Sequence, residues 1–349
     1  MSIIREFFSF LERLRDAKTE NPHIKLGRFM FKSGIGLLCS GIILNIILIT
    51  PSIHINFNLN TSIGWFITIM GTVIMITSIY FSKYGLSNVE KQWKLKKLYY
   101  LRGIENQIQA PPIHALPKMA LYYHETPIVL NIENKNLEGM FDDLMHAKRT
   151  IEDKVEQYQS KEVFFAGLAR TPCLFFIGYS FRNAHSKITL IDHSQQDSDW
   201  FILNTIDDPS VDVQIEYYGI ENDLHLNDIA VTIEYSLEIF SQELPEYLQN
   251  NLVRIKTKTQ YFHNAIRSQK ALERIVEKII NELIKLNKRT SRLHLFIATQ
   301  STFVFSLGRR YLDGQIGNIT VYNYNPISKS YDWAISLTNN ELKIEKILI

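Results

Sequence analysis

The chain has 349 residues, with 38 Lys and Arg against 36 Asp and Glu, and 46% of it is hydrophobic. That length accommodates two domains of ordinary size, and the near-neutral balance excludes the general affinity for duplex nucleic acid that a basic surface supplies. Cys39 and Cys173 lie in segments of opposite character, so no disulfide framework is expected, which fits a cytosolic domain.

Glu6, Glu12, Arg13, Arg15 and Asp16 interrupt any apolar core near the start, so no cleavable signal peptide is expected. Ile3, Phe7, Leu11 and Leu14 recur at helical spacing, which suits a helix on a membrane surface and a helix docked on a partner equally. From Ser33 to Ser82 there is no Asp, Glu, Lys or Arg, although these make up 21% of the chain. Two apolar runs lie within this stretch, at 33–50 and 63–81, each near the ~20 residues that cross a bilayer's hydrocarbon. Pro51, Asn56, Asn58 and Asn60 form a polar turn between them. Lys25, Arg28 and Lys32 precede the first run, and Lys83, Lys91, Lys94, Lys96, Lys97 and Arg102 follow the second, while the turn has only His54. This asymmetry predicts a two-span hairpin in the inner membrane with both termini cytoplasmic.

Residues 83–105 are basic, with Val89, Trp93, Leu95, Leu98 and Leu101 among the lysines, and predict a helical stalk beside anionic headgroups. The proline-rich segment 110–117 marks a boundary, dividing the chain into 1–105 and 110–349. Beyond it, two α/β halves are expected, at about 110–210 and 211–349. The first has an amphipathic helix with Leu137, Phe141, Leu144, Ile151, Val155 and Tyr158 on one face. A strand at 163–168, a short helix at 172–178 and strands at 187–191 and 200–203 follow. Strands at 213–218 and 229–235 lead into the second half, whose helix at 260–287 presents Phe262, Ile266, Leu272, Ile275, Ile279, Leu283 and Leu286. Its later strands are expected at 293–298, 319–322 and 333–337.

The second half rewrites the first. Phe175 and Gly178 recur as Phe305 and Gly308, Ile188-Thr189 as Ile319-Thr320, and Asp199-Trp200 as Asp332-Trp333. Such halves pack as a pseudo-dimer with a cleft between them. The paired segments Phe165-Ala-Gly-Leu-Ala-Arg-Thr-Pro172 and Leu295-Phe-Ile-Ala298, each leading to an apolar-Gly turn, resemble a SAVED domain. The resemblance implies two fused CARF-like Rossmann halves behind a transmembrane hairpin, as in the two-span effectors of bacterial cyclic-oligonucleotide antiphage signalling (CBASS). It further implies a cyclic di- or trinucleotide ligand made by a cognate nucleotidyltransferase, no cofactor, self-association on binding, and disruption of the lipid bilayer.

Within each half, a ligand is expected beyond the carboxyl ends of the strands, near helix N-termini. Ala169 to Pro172 and Thr299 to Thr302 occupy such places. Arg170 offers a guanidinium, Thr171 and Ser301 suit N-caps that could also bond a phosphate, and Pro172 fits a first helical turn. With Thr299 and Gln300 they form the expected contacts, joined by His193 and Tyr324, which end matching strands and could stack on bases. The two half-sites differ, because Thr299-Gln300-Ser301-Thr302 stands where the first copy has Ala169-Arg170-Thr171-Pro172. Trp200 and Trp333 read as core. The histidines show no metal spacing, and a loose acid, Glu-x-Lys pattern at Asp332, Glu341 and Lys343 is too common to assign a nuclease, so no catalytic residue is expected. A tethered phosphodiesterase or nuclease remains the alternative, as does a constitutive scaffold or transporter subunit.

Overall fold

The computed structural model describes residues 9–15, 21–49, 61–94, 96–104, 115–116, 128–132, 136–158, 162–184, 187–194, 196, 198–220, 225–258, 261, 263–312, 314–339 and 341–347. The expected turn at 51–60, most of the proline-rich boundary, Ile3, Phe7 and Phe262 lie outside the described residues. The chain divides into two compact units, residues 1–94 with 117–125 and residues 95–116 with 126–349.

The first unit is built on two long helices, α1 (Pro22–Ile49) and α2 (Thr61–Lys94). Each contains a stretch long and apolar enough to cross a membrane, Pro22–Ile43 and Ile63–Trp93. They pack antiparallel along a seam of small residues. Gly27 meets Ser78 and Ser82, Gly34 meets Gly71 and Met75, and Gly41 meets Gly64 and Thr68. A Cβ on Gly71 would stand 2.7 Å from the Leu38 amide nitrogen, so only glycine permits this approach. Along α1 the seam glycines recur every seventh residue, the period that holds one face toward a partner over several turns.

The second unit holds two sheets. In the first, β1 (Lys96–Arg102), β2 (Ile128–Asn131), β3 (Glu162–Leu168), β4 (Lys187–Ser194) and β5 (Asp199–Ile202) adopt the order β2-β1-β3-β4-β5. Helix α3 (Leu137–Tyr158) precedes β3, and α4 (Thr171–Ser180) follows it. α3 buries Met140, Leu144, Ala147 and Ile151 on one face; Val155 and Tyr158, expected there too, lie outside the described side chains.

The second sheet comprises β6 (Val213–Tyr218), β7 (Leu226–Glu234), β8 (Leu252–Thr257), β9 (Thr290–Ala298), β10 (Asn318–Asn325), β11 (Ser330–Thr338) and β12 (Glu341–Lys346), in the order β12-β11-β10-β9-β7-β8-β6. Helix α5 (Gln269–Asn287) precedes β9, and α6 (Ser301–Arg309) follows it. Within this sheet, β8-β7-β9-β10-β11 repeats the first sheet's order, with four parallel strands and an antiparallel fifth. The duplication therefore reaches upstream of α3, to β1 and β2.

That corrects the expected stalk. The helix stops at Lys94, and residues 96–102 are a central strand. Four consecutive side chains, Leu98, Tyr99, Tyr100 and Leu101, are buried, which a strand covered on both faces achieves and an exposed stalk cannot. Lys96 pairs with Glu162 at 2.8 Å rather than with a headgroup. The helix expected from 260 begins at 269, where Ser268 accepts a hydrogen bond from the Ala271 amide at 3.1 Å and caps it.

One hydrophobic core runs through both halves of the second unit. At its centre α4 and α6 cross, with the Phe165 and Phe305 rings stacked 3.7 Å apart. A Cβ on Gly178 would collide with the Phe305 carbonyl, and one on Gly308 with the Phe175 carbonyl. The repeated Phe-x-x-Gly is therefore a reciprocal contact, each helix resting on the other's backbone. Trp200 and Trp333 are both buried. The outer face of the second sheet is covered by residues 236–250, whose Ile239, Leu244 and Leu248 pack on Phe296, Tyr322 and Tyr331.

Candidate ligand-binding cleft

The parallel strands of both halves end at one cleft of about 920 Å³. The first half lines it with Tyr100, Arg102, Leu168, Thr171, Asp192 and His193. The second lines it with Ala298, Thr299, Gln300, Ser301 and Tyr324, together with Leu237, Glu238 and Glu243 from the 236–250 segment and His263 and Asn264 from the β8–α5 connection. Open α/β sheets bind ligands at such carboxyl ends.

Six of the eight expected contact residues thus border one cavity: Thr171, His193, Thr299, Gln300, Ser301 and Tyr324. Two do not. Arg170 is exposed and Pro172 is buried, and neither lines the cleft. Thr171 and Ser301 are not N-caps either. The caps are Arg170 and Gln300, and neither supplies a side-chain hydrogen bond. The first-turn amides of α4 and α6 are therefore left without side-chain caps where the helices meet the cleft.

The Gln300 side chain is committed to the protein. Its Nε2 donates to Asp192 Oδ2 at 2.7 Å and to the Ile266 carbonyl at 2.8 Å, while Oε1 accepts from the Ile266 amide at 3.0 Å. Thr302 donates to the same Asp192 oxygen at 2.8 Å. Asn264, held at φ 56, a left-handed conformation that Asn tolerates, donates to the His193 carbonyl at 3.0 Å. This polar clasp ties β4 of the first half to the second half at the cleft floor. Burial pushes the Asp192 carboxyl up to about 6, against the lowering effect of Thr302, the His193 amide, Gln300 and Asn264.

His193 and Tyr324 occupy equivalent strand ends. Burial lowers the His193 pKa, which favours the neutral ring, and its edge packs on Trp200 at 5.2 Å. Tyr324 donates to Glu243 Oε1 at 3.1 Å and packs at an angle on Tyr331. The pattern of Asp332 with Glu341 and Lys343 does not form a site. Glu341 pairs opposite Thr338, roughly 20 Å along β11 from Asp332, whose carboxylate accepts from Asn323 and Asn325. Among the described residues no group of His, Cys, Asp and Glu could hold a metal ion.

The sequence profile of a sensor domain, described as SMODS-associated and fused to various effectors and called SAVED, matches residues 146–337. The chain belongs to the SAVED family. Solved structures similar to it include the Acinetobacter baumannii Cap4 SAVED/CARF-domain containing receptor with the cyclic trinucleotide 3'3'3'-cAAA, at 14% identity and TM-score 0.48, covering 79% of this chain and 62% of that one. The same receptor with 2'3'3'-cAAA gives the same values, and without a named ligand it gives 15% identity and TM-score 0.46 over 83% and 61%. The chain therefore spans less than two thirds of those receptors' length. No curated protein matches it by sequence.

Sequence reasoning missed Tyr100 and Arg102 as cleft-lining residues, because the sequence of their strand reads as a stalk. A signal was present, since the strand before α5 should have had a counterpart before α3. Glu243, His263 and Asn264 lie in irregular segments where periodicity is silent.

Proposed function

We propose that the chain is a membrane-tethered sensor of antiphage defence whose SAVED domain binds a cyclic di- or trinucleotide in the cleft between its halves. The observation that carries this reading is that cleft, in which strand ends and two helix N-termini without side-chain caps meet Arg102, His193 and Tyr324. Such a surface offers donors for phosphates and ring faces for bases. A cognate nucleotidyltransferase supplies the ligand, and the α1–α2 hairpin is the output element in the inner membrane. Two spans enclose no pore, so self-association on binding is the step that lets them disrupt the bilayer. The protein acts as a receptor and leaves the ring intact.

The test uses the full chain reconstituted in dye-loaded vesicles and challenged with cyclic di- and trinucleotides. One ligand should raise the melting temperature and release dye. Exchanging α1–α2 for an unrelated two-span hairpin should keep the thermal shift and abolish release. Release that survives the exchange would remove the hairpin as output, and linear products from the ring would replace the receptor by an enzyme.

A further inference from the structure

The two halves share a scaffold but carry opposite charges at one equivalent strand end. Arg102 pairs with Leu168 at the end of β3, and Glu234 pairs with Ala298 at the end of β9. Leu168 and Ala298 are equivalent in the repeat, so a guanidinium in one half stands where a carboxylate stands in the other. Glu234 is fully buried and closed off by Arg254, whose Nε and Nη2 reach it at 3.0 and 2.7 Å. Arg254 Nη2 also donates to Glu238 at 3.2 Å and to the Ile239 carbonyl at 3.1 Å, which fixes the segment carrying Glu243 against the cleft.

Glu243 is the acidic group this arrangement presents beside Tyr324. Oε1 accepts from the Tyr324 hydroxyl at 3.1 Å and Oε2 from the Phe240 amide at 3.0 Å. A carboxylate has about four acceptor positions, so both oxygens keep capacity for a donor. A base stacked on Tyr324 would bring its edge to them. A phosphate, by contrast, is repelled there and attracted to Arg102.

Building on the reading of the cleft as a cyclic-oligonucleotide site, we propose that Glu243 selects the base, accepting a hydrogen bond from an exocyclic amino group, while Arg102 takes a phosphate. The ligand class is a ring with at least one amino-bearing base next to Tyr324.

The experiment measures binding of the full chain in lipid nanodiscs to cyclic di- and triadenylate and to the same rings built from purine riboside. Purine riboside keeps the stacking face and lacks the 6-amino group. The wild type should bind the better adenylate ring roughly ten- to a hundredfold more tightly than its purine counterpart, the loss expected for a hydrogen bond to a charged group. In Glu243→Gln, whose amide oxygen can still accept from the Phe240 amide while its NH2 donates to the Tyr324 hydroxyl, that ratio should shrink at least fivefold. Arg102→Ala should weaken both rings alike and leave the ratio unchanged. Equal wild-type binding of the two rings overturns the base selection while the cleft reading stands, and this comparison needs no variant to fold. An undiminished ratio in folded Glu243→Gln overturns it too. If the wild type binds none of the rings, selection of adenine at Glu243 is overturned, and the wider panel of cyclic di- and trinucleotides decides the cleft reading.

Discussion

At the residue scale, Asp192 sets the chemistry of the cleft floor. Its carboxyl titrates near 6 in the folded protein because it is buried, well above the ~3.9 of an exposed aspartate. A raised folded pKa favours the protonated form, so the stability it contributes is complete below the unfolded value and is lost as pH rises through about 6. The loss amounts to roughly 3 kcal/mol at most. Melting curves at pH 5 and pH 7.5 should therefore show a steeper decline for the wild type than for Asp192→Asn. His193 and His294 contribute with the opposite sign, since burial lowers both, but they are common to both proteins. Equal slopes would mean that Asp192 does not titrate there. Much of the cleft was legible at this scale, because the residues after β3, β4, β9 and β10 fall at strand ends that periodicity alone locates. Arg170 and Gln300 show where that stops: both are cap residues after a strand, yet one turns to solvent and the other into the clasp.

At the scale of elements, the crossing of α4 and α6 is the contact least able to yield. Gly178→Ala and Gly308→Ala each drive a methyl into a backbone carbonyl of the opposite helix, which no rotamer relieves, and each should cost about 1–3 kcal/mol or more. Once one substitution has parted the helices, the second has less contact to lose, so the double variant should be less destabilised than the sum. Denaturation of the two single variants and the double variant measures this, and strict additivity would contradict a shared contact. Elements with strong periodicity, such as α3 and the repeated strands, were readable within a few residues. β2, β8 and β12 were not, because a four-residue edge strand and strands bearing Arg254, Lys256, Glu341 and Lys343 give no apolar run. The start of α5 was misread because Ile266 falls in helical phase, although it is buried from a loop.

At the scale of the molecule, the hairpin has two kinds of small residue. Gly34 lies in the α1–α2 seam, whereas Gly36 has open space around its Cβ position and Ser40 is exposed. Gly34→Leu should part α1 from α2 and lower yield of an engineered disulfide between them. Gly36→Leu with Ser40→Leu should leave that disulfide and ligand binding intact and, if hairpins cluster through this face, abolish dye release. Release unchanged by the outward pair would exclude that face. The boundary between the units also matters for experiment, since a soluble fragment begun at residue 112 would discard β1 and Arg102. Finally, the reciprocal glycines bear on how the two halves of a duplicated domain can differ. A monomer that pairs with its twin must change both binding surfaces with every mutation. Here the two copies keep matching glycines at their junction while Arg102 in one copy corresponds to Glu234 in the other, Pro172 to Thr302 and His193 to Tyr324. Within one chain the junction glycines can stay matched while the residues on the two sides of the cleft change independently.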